Sequence, residues 1–494
     1  MSKFQEETNF KNKNNKIFKN KNNTSTVLLR LNEKEKKKLF DDLNKLSELE
    51  KQYIQNFYLQ KLIYSNEYNQ IFISSNILCV KPEKINLKLK DISLEQLIGK
   101  DNKNKFVKIT KLINKTRNNK KELYSKFDQI IKNKMNGEDR FVKYGKIHYI
   151  DNFVLKQLFK KKYNIDRNLH SAAFRKLYEI LITFPKLFKP DTENLKKSNK
   201  IRTFDICGFP GGFTYALLYY TKTQSKYDGI DWYLQSLNPE FNKSNTSTER
   251  SRSFDPKIFN KNKVILGCPT TDFGGSGDIT DIKNIHWYRD FFKNKKRDLI
   301  VSDCGQETEL DESQEKVLYR VNFGQILTTL YCLAEGGNFL MKTFEMNTQF
   351  SLSIMALLSM VFKNIKLIKT ESSKTRSSEY YVCCFHYYNN LSDDNFKVLD
   401  NIIINFNEKT YYKKIFIDEN LFNKLNPNFY SYLVDNYLML YNKIYANTEN
   451  YIFLLEKYNL NYPLLLYLIE HFNKNLIKEY EQKYKYKKIN NNNV

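Results

Sequence analysis

A doubly wound, mostly parallel α/β sheet is the fold the sequence predicts, and three observations carry it. Short apolar runs alternate with helical patterns from about residue 151 to 389, the order produced by successive βαβ units with helices on both faces of one sheet. The stretch 202–218, RTFDICGFPGGFTYALL, reads as a strand (204–207), a glycine-rich turn and the start of an apolar helix. That arrangement places a ligand beyond the carboxyl ends of the strands, where a helix start offers backbone N–H groups. Finally, RDLIVSDCG carries an apolar run from Leu299 to Val301 that ends on Asp303, as strands buried on both faces do.

The elements follow in order. LHSAAFRKLYEILITF (169–184) is amphipathic at helical spacing and is stopped by Pro185; the polar LKKSNK links it to the strand at 204. After the glycine turn and its helix come a strand at 227–234, a polar Asn/Ser/Thr loop at 238–253 and a strand at 263–268. The turn DFGGSGDITD leads into a helix through Trp287 to Phe292, and RDLIVSDCG follows. A helix at 315–333 passes through the loop AEGGN into the strand FLMKTF, then a helix at 351–362, the strand NIKLIK, a polar loop and the strand YYVCCF.

The flanks differ in texture. Residues 1–24 form a Lys/Asn tract expected to be a disordered basic tail. Residues 25–150 are an N-terminal extension or small module: 27–55 is amphipathic, with Leu39, Leu43, Leu46 and Leu49 on one side, and 64–105 suggests a few strands. Residues 390–484, with LFNKLNPNFYSYLVDNYLMLYNKIY and YPLLLYLIEHF, read as a helical C-terminal extension, and 485–494 as a tail.

The balance of 81 Lys+Arg against 55 Asp+Glu, a net charge of +26, points to a polyanionic partner, nucleic acid before a membrane surface. Abundant Lys, Asn, Ile, Tyr and Phe mark an A/T-rich coding bias, as in some viral genomes, which accounts for part of that excess. The seven cysteines, Cys79, Cys207, Cys268, Cys304, Cys332, Cys383 and Cys384, show no CxxC pair. A reduced, intracellular and soluble protein without structural zinc or a catalytic metal is therefore expected. The five histidines stand apart, and the longest apolar segment, 351–362, is too short to span a bilayer.

The spacing GFPGG fits neither GxGxxG nor GxxxxGK[ST], so a nucleotide-like ligand without phosphate suits this turn. If the sheet is doubly wound, functional side chains stand at strand ends beside it. Asp303, Lys342 at the end of FLMK, and Glu379 before YYVCCF meet that condition, and Lys176 joins them from the preceding helix. Each has a plainer reading as a turn or surface residue, and Lys176 as the partner of Glu179 on a solvated helix face.

DICGFPGGFT, Asp303 in DLIVSD, GGNFLMKTFE and SSEYYVC together resemble the FtsJ-type ribose 2′-O-methyltransferases, within them the adrift-type enzymes of mRNA caps, and SAAFRKLYEI is similar to the helix bearing that family's first lysine. The resemblance implies an S-adenosylmethionine-binding sheet of Rossmann-like type over 151–389 and a Lys-Asp-Lys-Glu tetrad made of Lys176, Asp303, Lys342 and Glu379. It implies that S-adenosylmethionine lies over Cys207, Gly208, Phe209, Pro210, Gly211, Gly212 and Phe213, with Asp303 close by and Asp278, in GSGDITDI, facing the adenine. Two departures, Thr370 where the family often has proline and Lys374 where its Ser-Arg pair has arginine, touch the RNA contacts.

The reaction so implied is methyl transfer to a ribose 2′-OH, on the first transcribed nucleotide of capped mRNA. Lysine is a poor base at neutral pH, so whether Lys342 takes the hydroxyl proton or steers it stays open. Asp303 and Glu379 would orient it, and Lys176 would place the ribose and phosphate. An internal rRNA or tRNA 2′-O-methyltransferase and a non-catalytic RNA-binding subunit are the competing readings. The expected partner is RNA, with capping or transcription machinery beyond it; the sequence does not define an oligomeric state.

Overall fold

The computed structural model describes residues 32–45, 77–78, 81–134, 162–163, 171–238, 263–265, 276–305, 314–373, 377–407, 410–457 and 480–487. The chain divides into two compact units, Met1–Leu62 with Leu454–Glu481, and Ile63–Phe453 with Gln482–Val494. In the first, helix α1 (Glu33–Lys45) takes up the amphipathic pattern and includes Leu39 and Leu43. Leu46 and Leu49, the tail 1–24 and YPLLLYLIEHF lie outside the described residues.

The second unit begins with β1 (Ile77–Leu78), β2 (Leu87–Asp91), α2 (Leu94–Ile98) and the long α3 (Lys100–Lys134). Ser93 and Gln96 close a reciprocal capping box at the start of α2, which satisfies two otherwise orphaned backbone donors. Then come α4 (Ala172–Thr183), α5 (Glu193–Lys197), β3 (Lys200–Ile206), α6 (Gly212–Thr223), β4 (Gly229–Gln235) and β5 (Val264–Ile265). The order continues with α7 (Ile282–Phe292), β6 (Arg297–Ser302), α8 (Gln314–Cys332), β7 (Leu333–Thr343), α9 (Gln349–Val361), β8 (Phe362–Ile368) and β9 (Tyr380–Tyr387). It goes on with α10 (Asp393–Ile404), β10 (Lys414–Ile417), α11 (Glu419–Leu425) and α12 (Phe429–Lys457), of which the residues up to Phe453 belong to this unit.

Eight strands form one sheet in the order β1-β8-β9-β7-β6-β3-β4-β5. The run β5-β4-β3-β6-β7 is parallel throughout, and β9 enters antiparallel between β7 and β8. From β3 the chain winds first to one side through β4 and β5, then to the other through β6 and β7. The switch point therefore falls between the carboxyl ends of β3 and β6, where doubly wound sheets bind ligands. The predicted fold class stands.

Alternation along β3 divides its side chains between two layers. Phe204 meets Tyr288 and Phe292 of α7 at ring-centroid distances of 5.7 and 4.9 Å, whereas Asp205 turns to the opposite face and accepts hydrogen bonds from Thr214 of α6. On that face α4 and α6 are joined by rings: Phe174 with Tyr215, and Tyr178 with Tyr219. The segment 482–487 packs on the same pair of helices. Tyr486 lies 4.7 Å from Tyr178 between ring centroids, and the Tyr219 hydroxyl donates to the Lys487 carbonyl at 2.6 Å while accepting from its N–H at 2.8 Å.

Three elements differ from the sequence expectation. The helix expected from 169 has Ser171 as its N-cap and starts at Ala172, because the Ser171 hydroxyl accepts the Phe174 N–H at 3.2 Å. AEGGN belongs to β7, whose pairing with β6 shifts register between Arg297 and Leu299 and so absorbs the extra residues. Within the C-terminal part, KIFI forms β10, which pairs antiparallel with β2. A four-residue apolar run has no periodicity to separate strand from helix.

Candidate active site beyond the ends of β3, β6, β7 and β9

The turn after β3 takes its shape from backbone demands. Gly211 sits at φ 99° and is the N-cap of α6, which has no side-chain cap; glycine adopts that conformation at no steric cost. At Gly212 a Cβ would stand 2.6 Å from the Ser171 hydroxyl and 3.0 Å from the Ala173 Cβ. The missing side chain is thus what lets α4, the helix of Lys176, approach the turn. The Phe209–Pro210 peptide is cis. Gln235, at the end of β4, accepts from the Cys207 N–H at 3.0 Å through its side chain and from the Gly208 N–H at 2.8 Å through its carbonyl. Its amide also donates to the Gly277 carbonyl, which ties the glycine turn to the turn of Asp278.

Lys176, Asp303, Lys342 and Glu379 stand together as two coupled ion pairs. The Lys176 ammonium reaches both oxygens of Glu379, at 2.7 and 2.8 Å. The Lys342 ammonium donates to the Asp303 carbonyl at 2.8 Å and lies 3.1 Å from its Oδ1. Strand pairing brings them together: Lys342 of β7 is opposite Tyr381 of β9, and Glu379 immediately precedes that strand. The helix face shared by Lys176 and Glu179 is not solvated: Glu179 is buried and accepts from the Ser372 N–H at 3.2 Å.

Glu379 is the best anchored of the four. Ser373 donates its hydroxyl proton to Oε1 at 2.6 Å, and Lys369 donates to the carbonyls of Ser377 and Glu379 at 2.6 and 2.7 Å, which fixes the approach to β9. Burial alone would raise its pKa, but the Lys176 and Lys342 ammoniums outweigh that and hold the carboxyl down to about 2. Asp303 receives a further hydrogen bond from the Tyr381 hydroxyl at 3.2 Å.

Asp278 lies beyond β4 in the turn before α7. Its Oδ1 accepts from the N–H and the hydroxyl of Thr280, each at 2.8 Å, and the Gln235 link is its connection to the glycine turn. Its neighbours Gly274 and Gly275 lie outside the described residues.

One expectation is corrected here. Cys207 and Cys304 form a disulfide, so the cysteines are not uniformly reduced. Ile206 and Ser302 are paired neighbours on parallel strands, and each cysteine follows just beyond its strand end; a sequence separation of 97 residues concealed the proximity.

Sequence reasoning also passed over Asp205, Gln235, Ser373 and Tyr381. Asp205 carried a signal, an acidic residue inside the apolar run TFDI. It is 1% exposed, its Oδ1 has no hydrogen-bond partner among the described residues, and burial pushes its pKa up to about 8 even though Thr214 donates twice to Oδ2. The value exceeds the ordinary 3.8. The neutral form's contribution to stability is therefore complete below that pH and is lost as pH rises through about 8. Asp205→Asn keeps an acceptor for Thr214 without the charge. It is expected to raise the melting temperature above that of the unsubstituted protein at pH 8.5 and by much less at pH 5, read by thermal unfolding across pH. A displacement equal at every pH would remove Asp205 as its source.

Residues 169–387 match the model of the FtsJ-like methyltransferase family. The chain is 30% identical over 238 residues to an uncharacterized protein of Acanthamoeba polyphaga mimivirus, covering 47% of this chain and 28% of the relative. It is 27% identical over 223 residues to cap-specific mRNA (nucleoside-2′-O-)-methyltransferase 2 of Danio rerio, covering 44% of this chain and 28% of the relative. A probable methyltransferase of African swine fever virus is 26% identical over 231 residues, 45% of this chain and 50% of the relative. The chain thus spans half or less of the length of these curated relatives. Among the described residues, no helix is long and apolar enough to cross a membrane.

Proposed function

Because residues 169–387 match the FtsJ-like methyltransferase family model, we propose that this chain is an S-adenosylmethionine-dependent RNA ribose 2′-O-methyltransferase acting at the capped end of mRNA. The observation that carries the reading is the meeting of two ion pairs, Lys176 with Glu379 and Lys342 with Asp303, at the same sheet edge as the glycine turn. Relatives named as cap-specific mRNA methyltransferases support the substrate class, and the net charge of +26 suits a polyanion.

The residues present suit the donor. The start of α6, with no side-chain cap, leaves backbone N–H groups for a carboxylate. Cys207 to Phe213, with Asp303, would hold the methionine part, and Asp278 the adenine amino group. When bound, S-adenosylmethionine supplies a methyl group made electrophilic by its sulfonium. What the chain must do is align the hydroxyl and manage its proton.

An ammonium has three N–H donors, and Lys342 engages the carbonyl and carboxylate of Asp303 with them. Fixed in this way, it steers the ribose oxygen and balances the negative charge that develops on it as the proton leaves. Asp303, itself held by Tyr381, keeps Lys342 in place. Glu379 does the same for Lys176, whose cationic end is then set to receive the ribose and its phosphate.

The test is incubation of the full chain and S-adenosylmethionine with one short transcript in m7G-capped and uncapped forms, followed by mass spectrometry of the digested RNA. A methyl group on a cap-adjacent ribose of the capped form alone is expected. Equal transfer to both forms would favour an internal RNA substrate, and donor binding without transfer to any RNA would favour a non-catalytic subunit.

A further inference from the structure

The Cys207–Cys304 bridge lies across the crevice in which the donor would sit. Its Cα atoms are 5.1 Å apart, one at the start of the glycine turn and the other one residue past Asp303. Cys207 takes φ 59°, a conformation that favours glycine, so a side chain stands where the turn by itself calls for none. Cys304 is buried and Cys207 is half-buried, so Cys207 is the less buried of the two. Among the described residues Cys332 and Cys383 are not disulfide-bonded although buried in the same unit, so the described cysteines do not form a general disulfide framework. The bridge found among the described residues falls at the switch point of the sheet.

We infer that Cys207 and Cys304 are a reversible thiol–disulfide switch of donor binding, the dithiol being the competent form. The inference rests on the donor reading given above. The bridge places two bonded sulfurs between the carboxyl ends of β3 and β6, the space a ligand enters in this architecture. It also ties the first residue of the glycine turn to the segment of Asp303, so the turn cannot shift relative to that strand end to receive a ligand. Opening the bridge releases both constraints and leaves the two ion pairs untouched.

The chemistry balances with glutathione as the redox partner. The Cys207 thiolate attacks one sulfur of glutathione disulfide, forming a mixed disulfide and expelling one glutathione thiolate. The Cys304 thiolate then attacks the Cys207 sulfur and expels the second. Two cysteine thiols lose two protons and two electrons, and one glutathione disulfide becomes two glutathiones. Reduction runs the same two exchanges backwards.

The full chain, equilibrated in glutathione buffers of graded ratio, tests this. Alkylation and peptide mass spectrometry read the bridge, and calorimetry with S-adenosylhomocysteine reads the donor site. The dithiol is expected to bind about tenfold more tightly than the bridged form. By linkage, saturating S-adenosylhomocysteine should shift the bridging midpoint toward the dithiol by the same factor. Cys304→Ser should bind like the reduced protein and ignore the buffer ratio; the redox titration of the unsubstituted chain stands without it if that variant does not fold. Failure of the bridge to form or open, or equal affinity in both forms, overturns the inference. Bridging with no S-adenosylhomocysteine binding in either form overturns the donor reading as well, and is distinguished by the intact redox titration.

Discussion

Lys342→Met is expected to lower kcat for methyl transfer to capped RNA by about a hundred- to ten-thousandfold while leaving S-adenosylhomocysteine affinity near its original value. Methionine keeps most of the apolar stem of lysine and removes the three donors. The loss then falls on the step in which the hydroxyl gives up its proton, because in the proposed function the Lys342 ammonium, set by the Asp303 carbonyl at 2.8 Å, is the group that faces the developing charge. A fall in kcat with unchanged donor affinity is the signature of an interaction made only in the transition state. If transfer survived within a factor of three, the role assigned to Lys342 would be lost; if donor binding fell in parallel, Lys342 would be a binding residue.

The parts of this site differ in how far the sequence disclosed them. β6 was legible because all six of its residues, RDLIVS, are buried, and a strand covered on both faces shows itself as an unbroken apolar centre, here Leu299 to Val301. The start of α4 was displaced because Ser171 caps through a hydrogen bond that periodicity does not register. The four charged residues were visible one at a time, as strand-end or helix residues, and became a set only through resemblance to a family. That Lys176 pairs with Glu379, 203 positions away, depends on Gly212 letting α4 settle beside the turn. Tyr381 offered nothing to distinguish it from the 34 other tyrosines of the chain's 35; its role comes from standing opposite Lys342 in the register of β7 and β9. The bridge was hidden for the same reason, since strand order and not sequence spacing brings Cys207 to Cys304.

The second large effect is expected at Glu379, where stability and catalysis are joined. Its carboxyl is held down to about 2 by Lys176 and Lys342 against the opposing effect of burial. A carboxyl depressed in the folded state contributes stability that is fully present above its unfolded value, 4.5, and is lost as pH falls through about 2. Glu379→Gln is therefore expected to cost about 3 kcal/mol at pH 7, since it removes the carboxylate that the buried Lys176 ammonium pairs with. The difference from the unsubstituted protein should shrink as pH falls from 4.5 to 2, read as urea midpoints at pH 7, 4 and 3. Lys176→Met in the Glu379→Gln background should recover part of the loss, because the ammonium that lost this carboxylate is then gone, whereas two independent surface charges would add. In the transfer assay both single variants should lose activity through poor placement of the RNA, with KM for capped RNA rising and donor affinity held. A Glu379→Gln protein with unchanged midpoints at pH 7 would show that the two ion pairs are not coupled through this carboxylate, and the positioning role assigned to Lys176 would fall with it.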